Sequence, residues 1–455
     1  MNACSMTLRD AAQAIGAQYV GAPLRFHGVS TDSRSMQGGE LFIALQGEHF
    51  DAHAFLDAAA AGGAVAAVVA KRSVSSLPLL LVEDTREALG RLALAWRQRF
   101  NIPFIAVTGS NGKTTVKEMI AAILRRQGEP LVTKGNLNND IGVPQTLFRL
   151  EQQHTHAVIE MGANHAGEIA WLAEITRPDV AVVNNAMPAH LEGFGDLEGV
   201  ARAKGELFEA LDEEGWAIIN ADDDFAEYWR TISRHCRQID FGFSPQARVT
   251  ARLLDEQSQA GTRFMLQTPL GEAEVMLALP GRHNVMNALA AAAVATALDI
   301  EPDKISAGLA AMHTVGGRLQ QVIGLHGATI IDDTYNANPA SLRAAMDVLA
   351  SLPGTRILVL GDMAELGAQA EALHAEAGQQ ARACGIDHLY TLGEYSRAAT
   401  QAFGQNGLHF TSADKLNEVL RNTLDGRTVV LVKGSRAMHM EDVVKALLAT
   451  QGVKG

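Results

Sequence analysis

Short apolar runs alternate with helical patterns along the middle of the chain. The runs are rich in β-branched residues, and segments with helical spacing separate them, which is typical of parallel strands covered by helices on both faces. The predicted strands are FIAVT (104–108), LVT (131–133), AVIEM (157–161), VAVVNN (180–185) and WAIIN (216–220). The pattern therefore predicts a parallel sheet in a central α/β domain.

A second alternating set follows residue 314 and predicts another α/β domain. Its strands are ATIID (328–332), RILVLG (356–361), HLYTLG (388–393) and TVVLVKG (428–434). The glycines of HTVGGRL (313–319) separate the two sets and suggest a hinge. Near the N-terminus the β-type runs are shorter and surround one alanine-rich helical stretch, which predicts a small α/β domain. We therefore predict three domains, residues 1–84, 85–314 and 315–455.

Length, composition and charge disfavour several classes of function. A chain of 455 residues has room for about three domains, and its apolar fraction of 47% is typical of a folded protein. The net charge of −13 disfavours nucleic acid, because a phosphate backbone would repel an acidic chain. The three cysteines lie far apart, the first residues show no signal-peptide pattern, and the most apolar run (58–70) is too short for a membrane span. We expect a cytoplasmic enzyme without a membrane span.

The strongest chemical motif is FIAVTGSNGKTTVKEMIAAIL (104–124), an apolar strand followed by a glycine-containing loop and a helix. Its glycines allow the loop to turn backbone N–H groups toward phosphate oxygens, and the helix N-terminus adds its positive dipole. Lys113 is expected to reach the β- and γ-phosphates of a nucleotide, and Thr114 to bind Mg²⁺. The predicted nucleotide-binding residues are Gly109, Ser110, Asn111, Gly112, Lys113, Thr114 and Thr115.

This loop departs from the common G-x-x-x-x-G-K pattern, because valine stands at position 107 where that pattern has glycine. It is a shortened variant, T-G-S-N-G-K-T-T. The alternative explanation is an ordinary helix cap that happens to carry a lysine. We favour a phosphate loop because strand, loop and helix follow one another in the required order.

Two residues outside the loop are candidate metal ligands. Glu160 ends one predicted parallel strand and His190 follows another, and the carboxyl ends of parallel strands face the ligand crevice of an open sheet. Oxygen ligands suit a magnesium ion that also contacts ATP phosphates. Taken alone, Glu160 is equally consistent with a salt-bridged or capping acid, and His190 with a structural histidine.

Three further features have an ordinary explanation when they are taken alone. Lys204 lies in a helical pattern, where lysines are usually solvated. Asn287 follows a Pro-Gly turn at a predicted helix start and could be a capping or packing residue. The segment TDSR (31–34) is typical of a polar turn.

Together these motifs resemble the Mur ligase superfamily, the ATP-dependent amide-bond-forming enzymes of peptidoglycan synthesis, and their relatives the folylpolyglutamate synthetases. The resemblance covers the whole chain, and DDTYNANP and HLEGFG are similar to the branch that adds D-alanyl-D-alanine. The Asp-Asn-Pro-Arg motif usual in the branch that adds the third residue is not found. The other motifs that carry the resemblance are TDSR (31–34), GNLNNDIGVPQTL (135–147), EMGANHAGEI (160–169), HLEGFGDLEGVARAKGELF (190–208), GRHNVMNALAA (281–291), DDTYNANPASL (332–342) and KGSRAMHMEDVV (433–444).

The resemblance implies a nucleotide site shared by two domains. It implies ATP as the nucleotide, with Asn287 at the adenine and with Arg318 and Asp333 approaching from the C-terminal domain. It implies Mg²⁺ on Thr114, Glu160 and His190, with Lys204 carbamylated by CO₂ into an anionic ligand near the metal. The implied catalytic residues are Lys113, Glu160, His190 and Lys204.

The resemblance also implies the substrate residues. The N-terminal domain would bind the UDP end of the substrate, and Lys433 and Arg436 would serve the incoming dipeptide or domain closure. The implied substrate-binding residues are Ser30, Thr31, Asp32, Ser33 and Arg34 in that domain, Asn138 and Asn139 near the γ-phosphate, and Asn336 beside the nucleotide.

The implied reaction is a ligation through an acyl phosphate. The terminal carboxylate of a UDP-N-acetylmuramoyl-tripeptide would take the γ-phosphate of ATP, and the amine of D-alanyl-D-alanine would then displace phosphate to give the pentapeptide. We expect a monomer. Two alternatives stay open, namely another ligase of the superfamily and a nucleotide-hydrolysing switch, although the N-K-x-D motif usual in GTPase switches is not found.

Overall fold

The computed structural model describes residues 5–19, 21–47, 50–188, 191–255, 261–312 and 316–449. Their elements form an N-terminal, a central and a C-terminal α/β unit, which confirms the predicted fold class. The domain boundaries at residues 84 and 314 stay predictions, and the start of the predicted hinge segment, 313–315, lies outside the described residues. None of the described helices combines the length and the apolar character that a membrane span requires.

The N-terminal unit is built from short strands on two small sheets. Its elements are β1 (Met6–Thr7), α1 (Leu8–Ala14), β2 (Arg25–Phe26), β3 (Val29–Ser30), β4 (Leu41–Ile43), α2 (Leu56–Ala61), β5 (Ala66–Val69), β6 (Leu79–Leu81) and α3 (Thr85–Arg97). Strands β3 to β6 pair in parallel in chain order, and β1 pairs antiparallel with β2. Helix α3 buries Trp96, whose ring contacts Phe26 of the N-terminal unit and Phe148 of the central unit. This helix therefore joins the two units.

The central unit is a six-stranded parallel sheet with helices on both faces. Its elements are β7 (Phe104–Thr108), α4 (Lys113–Leu124), β8 (Glu129–Val132), α5 (Gly142–Leu147), β9 (His154–Glu160), α6 (Glu168–Thr176), β10 (Val180–Val183), α7 (Leu191–Phe194), α8 (Leu197–Glu209), β11 (Trp216–Asn220), α9 (Ala226–Ile232) and β12 (Arg237–Phe241). The strand order is β12-β11-β10-β7-β9-β8, so β10 and β9 flank β7. All five predicted strands are present. The strand order reverses its direction at β7, and open α/β sheets bind ligands at such a point.

A three-stranded antiparallel sheet, which the sequence analysis did not predict, follows the parallel sheet. It consists of β13 (Thr250–Asp255), β14 (Thr262–Thr268) and β15 (Gly271–Leu277), and two helices follow it, α10 (Arg282–Ala297) and α11 (Pro302–Ala310). Helix α10 is buried along most of its length, since it lies in one apolar core with residues of both sheets. Its first turns are thereby fixed against the loop that follows β7.

The C-terminal unit is a second six-stranded sheet. Its elements are β16 (Gln320–Ile323), β17 (Thr329–Asp333), α12 (Pro339–Ser351), β18 (Thr355–Gly361), α13 (Ala370–Ala383), β19 (His388–Leu392), α14 (Ser396–Phe403), β20 (Gly407–Phe410), α15 (Ala413–Thr423), β21 (Thr428–Lys433) and α16 (Glu441–Leu447). The order is β16-β17-β21-β18-β19-β20, and only β16 is antiparallel to its neighbour. The four predicted strands are present, whereas β16 and β20 were not predicted.

Candidate functional site

One cavity of about 980 Å³ lies between the central and C-terminal units. The carboxyl ends of β7 and β9 face it from one side, and those of β17 and β21 face it from the other. The predicted residues that line it are Ser110, Asn111, Gly112, Lys113, Thr114, Thr115, Asn138, Asn139, Glu160, Asn287, Arg318, Asp333 and Asn336. Residues that are far apart in sequence thus converge on a single site.

The loop after β7 has the tight backbone that a phosphate loop needs. Gly112 has a φ of +78°, and an added Cβ there would lie 2.5 Å from Oδ1 of Asn287. Asn185 holds the loop through three hydrogen bonds. Its carbonyl oxygen accepts from the Ser110 N–H at 3.0 Å, its Oδ1 accepts from the Asn111 N–H at 2.9 Å, and its Nδ2 donates to the Asn111 carbonyl oxygen at 3.2 Å. The glycine and these hydrogen bonds fix the loop against the end of β10.

A group of asparagines connects this loop to helix α10. Asn184 Nδ2 donates both to the carbonyl oxygen of Asn111 and to Oδ1 of Asn287, each at 2.9 Å. Asn287 in turn donates to Oδ1 of Asn284 at 3.3 Å. Asn287 lies in the second turn of α10, which begins at Arg282, and not at the helix start as predicted. Its side chain therefore contacts the loop directly.

Lys113 and Thr114 begin helix α4 directly after the loop. The Lys113 ammonium donates to the carbonyl oxygen of Gly109 at 2.8 Å, so this side chain lies across the loop. Burial lowers the pKa of Lys113; the nearby Glu160 carboxylate opposes this effect and the charge of Arg318 adds to it. A partly desolvated ammonium in this position is suited to binding phosphate oxygens.

Glu160 is a buried carboxylate in which both oxygens have partners. Thr114 Oγ1 donates to Oε2 at 2.8 Å, and Asn138 Nδ2 donates to Oε1 at 2.8 Å. A carboxylate and a hydroxyl next to a phosphate loop are the donors that Mg²⁺ prefers, so these residues fit the ion. His190 lies outside the described residues, and no cluster of three or more His, Cys, Asp or Glu side chains occurs within the described ranges.

Lys204 is not the solvated helix residue that its sequence context suggests. Its side chain, on α8, is 3% exposed, and its ammonium lies 5.7 Å from the centre of the Phe194 ring. Burial, together with the charge of Lys113, lowers the pKa of Lys204 to about 7. A large neutral fraction of the amine is therefore present near neutral pH.

The C-terminal unit reaches the phosphate loop through two side chains. Arg318 stacks its guanidinium 4.0 Å from the centre of the Tyr335 ring and donates to Thr114 Oγ1 at 2.8 Å. Asn338 Nδ2 donates to Oδ1 of Asn111 at 2.7 Å. The two units therefore meet at the loop itself.

Asp333 forms a buried ion pair behind this contact. Lys433 Nζ lies 2.5 Å from Oδ2 of Asp333 and donates to the carbonyl oxygen of Asn336 at 2.9 Å. The other oxygen of Asp333 accepts from the Leu319 N–H at 3.2 Å. Burial raises the pKa of Asp333, and the Lys433 charge opposes this rise. Asp333 thus joins the end of β17 to the segment next to Arg318.

The predicted UDP-binding segment lies in the N-terminal unit and does not line this cavity. Both carboxylate oxygens of Asp32 accept hydrogen bonds from the Arg34 guanidinium, and the Arg34 contacts lower the pKa of Asp32 to about 2. Ser30 Oγ donates to the carbonyl oxygen of Asp32. Ser33 lies within the turn that the Ser35 N–H closes by donating to the same carbonyl oxygen. Thr31 Oγ1 accepts from Gln145 Nε2 of the central unit at 3.0 Å. The segment is therefore linked to the central unit close to Asn138 and Asn139.

Sequence reasoning missed four residues that shape the site, Lys117, Asn184, Asn185 and Asn338. The two neighbouring asparagines were assigned to a strand, although polar residues at the carboxyl end of a buried parallel strand indicate a ligand-facing position. Asn338 lies within the motif DDTYNANPASL, in which the resemblance gives roles to Asp333 and Asn336 but not to Asn338. Nothing in the sequence distinguishes Lys117 from an ordinary helical lysine, which is usually exposed.

Comparisons with known proteins cover almost the whole chain. The family model described as Mur ligase middle domain matches residues 107–295, the model described as Mur ligase, glutamate ligase domain matches residues 317–436, and the model described as Mur ligase family, catalytic domain matches residues 25–97. The UDP-N-acetylmuramoyl-tripeptide–D-alanyl-D-alanine ligase of Escherichia coli (strain K12) is 48% identical over 448 residues, which cover 97% of this chain and 98% of that protein.

Solved structures show the same similarity in three dimensions. A crystal structure of MurF from Acinetobacter baumannii superposes with a TM-score of 0.92 at 36% identity and covers 98% of this chain and 99% of that chain. The structure of MurF ligase from Thermotoga maritima in complex with ADP has a TM-score of 0.83 at 27% identity, with 92% of this chain and 96% of that chain covered.

Proposed function

The chain belongs to the Mur ligase family, and from this premise we propose that it joins D-alanyl-D-alanine to a UDP-N-acetylmuramoyl-tripeptide with ATP as the energy source. The observation that carries the proposal is the 48% identity, over 97% of the chain, to a relative named for this reaction. The product is the UDP-linked pentapeptide used in peptidoglycan synthesis. A location in the cytoplasm, where ATP is available, follows from the proposal.

The shared cavity supports a reaction that needs nucleotide and acceptor side by side. The phosphate loop lies on one wall and Asp333 and Lys433 lie on the other, so that ATP bound at the loop would touch both units. We propose that the adenine base lies at Asn287 and its helix, and that the phosphates lie next to Arg318, which donates to Thr114 Oγ1. A single chain supplies both walls, which supports a monomer.

The first chemical step that we propose is activation of the tripeptide. Its terminal carboxylate attacks the γ-phosphorus of ATP, the bond to the β,γ-bridging oxygen breaks, and ADP leaves as an acyl phosphate forms. Lys113 stabilises the negative charge on the transferred group, while the backbone N–H groups at the start of helix α4 bind the other phosphates. Asn138, which donates to Glu160, and its neighbour Asn139 line the cavity where the carboxylate would approach.

The second step is amide formation. The free amine of D-alanyl-D-alanine attacks the acyl carbon, a tetrahedral intermediate forms, and inorganic phosphate leaves while the amine loses its proton. No protein nucleophile is needed, because positioning of the reactants can supply much of the rate, up to about 7–11 kcal/mol. The C-terminal unit, with Lys433 and Arg436 on the cavity wall, is where we place the dipeptide.

We propose that Thr114 and Glu160 hold Mg²⁺, together with His190 and a carbamylated Lys204. When bound, the ion would offset negative charge on the phosphate oxygens. The low pKa of Lys204 supports carbamylation, because CO₂ reacts with a neutral amine. The modification would replace a buried cation with an anion that has oxygen donors.

The test is phosphate release from ATP and Mg²⁺ with UDP-N-acetylmuramoyl-tripeptide, measured with D-alanyl-D-alanine, with single amino acids and with no amine. We expect release only when both the tripeptide and the dipeptide are present, with the pentapeptide as product. Release with a different amine would instead identify another ligase of the superfamily. Release without any amine would support the nucleotide switch and contradict the proposal.

A further inference from the structure

Lys117 is a buried lysine that has no part in the steps above. It lies on α4, one turn after Lys113, and it is 1% exposed, compared with 3% for Lys204 and for Lys433. Its ammonium donates to the carbonyl oxygen of Thr133 at 2.9 Å. A lysine is rarely buried unless its charge is paired, so the neighbours of this ammonium need to be identified.

Two carboxylates accompany the Lys117 ammonium. Glu118 Oε1 lies 3.2 Å from it and Glu160 Oε2 lies 3.6 Å from it. Among the described residues, Lys117 is the only lysine or arginine that forms an ion pair with Glu160. Glu160 is itself 1% exposed, so this charge offsets an almost fully buried carboxylate.

The same carboxylate oxygen faces the proposed metal position. Oε2 of Glu160 accepts the Thr114 hydrogen bond at 2.8 Å, and Thr114 begins the helix next to the phosphate loop. A bare divalent cation bound between Glu160 and Thr114 would therefore lie close to the Lys117 ammonium. Like charges repel strongly where little water is present, so Lys117 disfavours the bare cation from the Glu160 side, as Arg318 does from the Thr114 side. A nucleotide brings phosphate charge that outweighs this repulsion.

We propose that Lys117 is a positioning residue whose ammonium offsets part of the negative charge of Glu160. This carboxylate then binds a divalent cation only together with nucleotide phosphates. The inference rests on the proposed function in one respect, namely the role of Glu160 in holding the metal. Its consequence for the reaction is that the cation arrives with ATP and leaves with ADP. Lys117 thereby favours release of the spent nucleotide.

The test uses Mn²⁺ as the probe and follows its binding to the nucleotide-free, full-length enzyme by electron paramagnetic resonance. Lys117→Gln keeps an amide donor for the Thr133 carbonyl but removes the charge. We expect this variant to bind Mn²⁺ at least about tenfold more tightly than the wild type. We also expect kcat and the KM for Mg-ATP to fall together, because ADP and the cation leave more slowly. The matched control is Lys304→Gln, which removes an exposed charge from the same unit and should change neither quantity.

A second variant keeps the test valid if Lys117→Gln does not fold. Glu118 is partly exposed, and Glu118→Gln removes the other carboxylate partner of Lys117. The full charge of Lys117 then acts on Glu160, so Mn²⁺ binding in the presence of ADP should weaken about threefold or more. Unchanged Mn²⁺ binding in Lys117→Gln, or in Glu118→Gln when the first variant is unfolded, would overturn the inference.

A third variant separates this inference from the proposed function. If Glu160→Gln binds Mn²⁺ in the presence of ADP as tightly as the wild type, the metal role of Glu160 fails and the inference fails with it. If Glu160→Gln weakens that binding while Lys117→Gln leaves bare Mn²⁺ affinity unchanged, only the inference fails. A purely structural Lys117 would lower stability without altering Mn²⁺ affinity.

Discussion

At the scale of single residues, the phosphate loop depends on glycine at position 112 for two independent reasons. The backbone has a positive φ, and the space where a Cβ would stand is taken by side-chain atoms of Asn287 and Asn184. Any other residue would be strained and would also push the asparagine group away from the loop.

Gly112→Ala should raise the KM for ATP at least about tenfold, since the left-handed backbone alone costs about 1–2 kcal/mol. The measurement is the ATP dependence of phosphate release. Gly16→Ala is the matched control: Gly16 also has a positive φ, of +69°, but a Cβ there meets nothing within 4 Å. An alanine at 112 with the wild-type KM would show that the loop tolerates a side chain.

We also predict that Lys204 is carbamylated. With isotope-labelled bicarbonate, a carbamate resonance should appear in the NMR spectrum of the enzyme at about pH 8 and should be absent in Lys204→Met. The folded-state pKa is about 7, so acidification through that value protonates the amine. The resonance should therefore decline as the pH falls toward 6. A spectrum without this resonance, or one in which it persists in Lys204→Met, would rule out carbamylation at this lysine.

At the scale of elements, helix α12 begins with a cap that also reaches the active site. Asn338 accepts from the Ser341 N–H at 2.8 Å, Ser341 Oγ accepts from the Asn338 N–H at 3.1 Å, and Asn338 also donates to Asn111. One side chain therefore fixes the helix start and contacts the loop of the other unit.

Asn338→Ala should raise the KM for ATP about three- to tenfold, the effect of one lost hydrogen bond, and should destabilise the helix start by about 0.5–2 kcal/mol. Ser341→Ala is the control, because it removes the two hydrogen bonds between the Ser341 hydroxyl and the Asn338 backbone but leaves the contact with Asn111. Thermal unfolding should respond to both changes, whereas the KM for ATP should respond only to the first. Equal KM values for the two variants would contradict a role for the contact with Asn111.

A comparison of predicted and observed strands shows how much of the fold follows from the sequence. Buried parallel strands form continuous apolar runs, and for this reason β7 and β11 have the bounds predicted for them. The strands β13 to β15 were missed because one face is partly exposed; in β15, for example, buried and exposed residues alternate. Such short alternating segments resemble loops when no neighbouring strand is known.

The sequence predicts those site residues that lie in a local motif, but not those whose burial depends on distant parts of the chain. Lys113 and Thr114 lie within a local motif, so spacing along the chain was sufficient. The burial of Lys117 and Lys204 depends on strands and rings that pack from elsewhere in the chain, and no local pattern encodes it. The resemblance to a family identified Lys204 but not Lys117.

At the scale of the whole molecule, the C-terminal unit contacts the phosphate loop and the start of α4 through Asn338 and Arg318. A glycine-containing turn precedes Arg318. Gly317 has a φ of +72°, and its carbonyl oxygen accepts from the Tyr335 N–H at 3.1 Å. The turn thus fixes the position from which Arg318 reaches Thr114.

Gly317→Pro should lower turnover at least about tenfold, because proline requires a φ near −65° and cannot adopt this turn. Gly316→Ala is the control, since a Cβ at Gly316 has only one neighbour, Gln320 Oε1 at 3.7 Å. The measurements are kcat and the change in radius of gyration on nucleotide binding, by small-angle scattering. Turnover equal to that of the wild type in Gly317→Pro would contradict domain closure about this turn.

The hydrogen bonds at Asn111 also bear on the chemical lifetime of the protein. Asn111 precedes Gly112, and an asparagine followed by glycine deamidates readily when its side chain is free to meet the next backbone nitrogen. Here Asn338 holds Oδ1 and the Met187 sulfur holds Nδ2, so the amide is restrained at both ends. Separation of the two units would remove one restraint. Deamidation of Asn111 during storage should therefore be slower when the two units stay in contact.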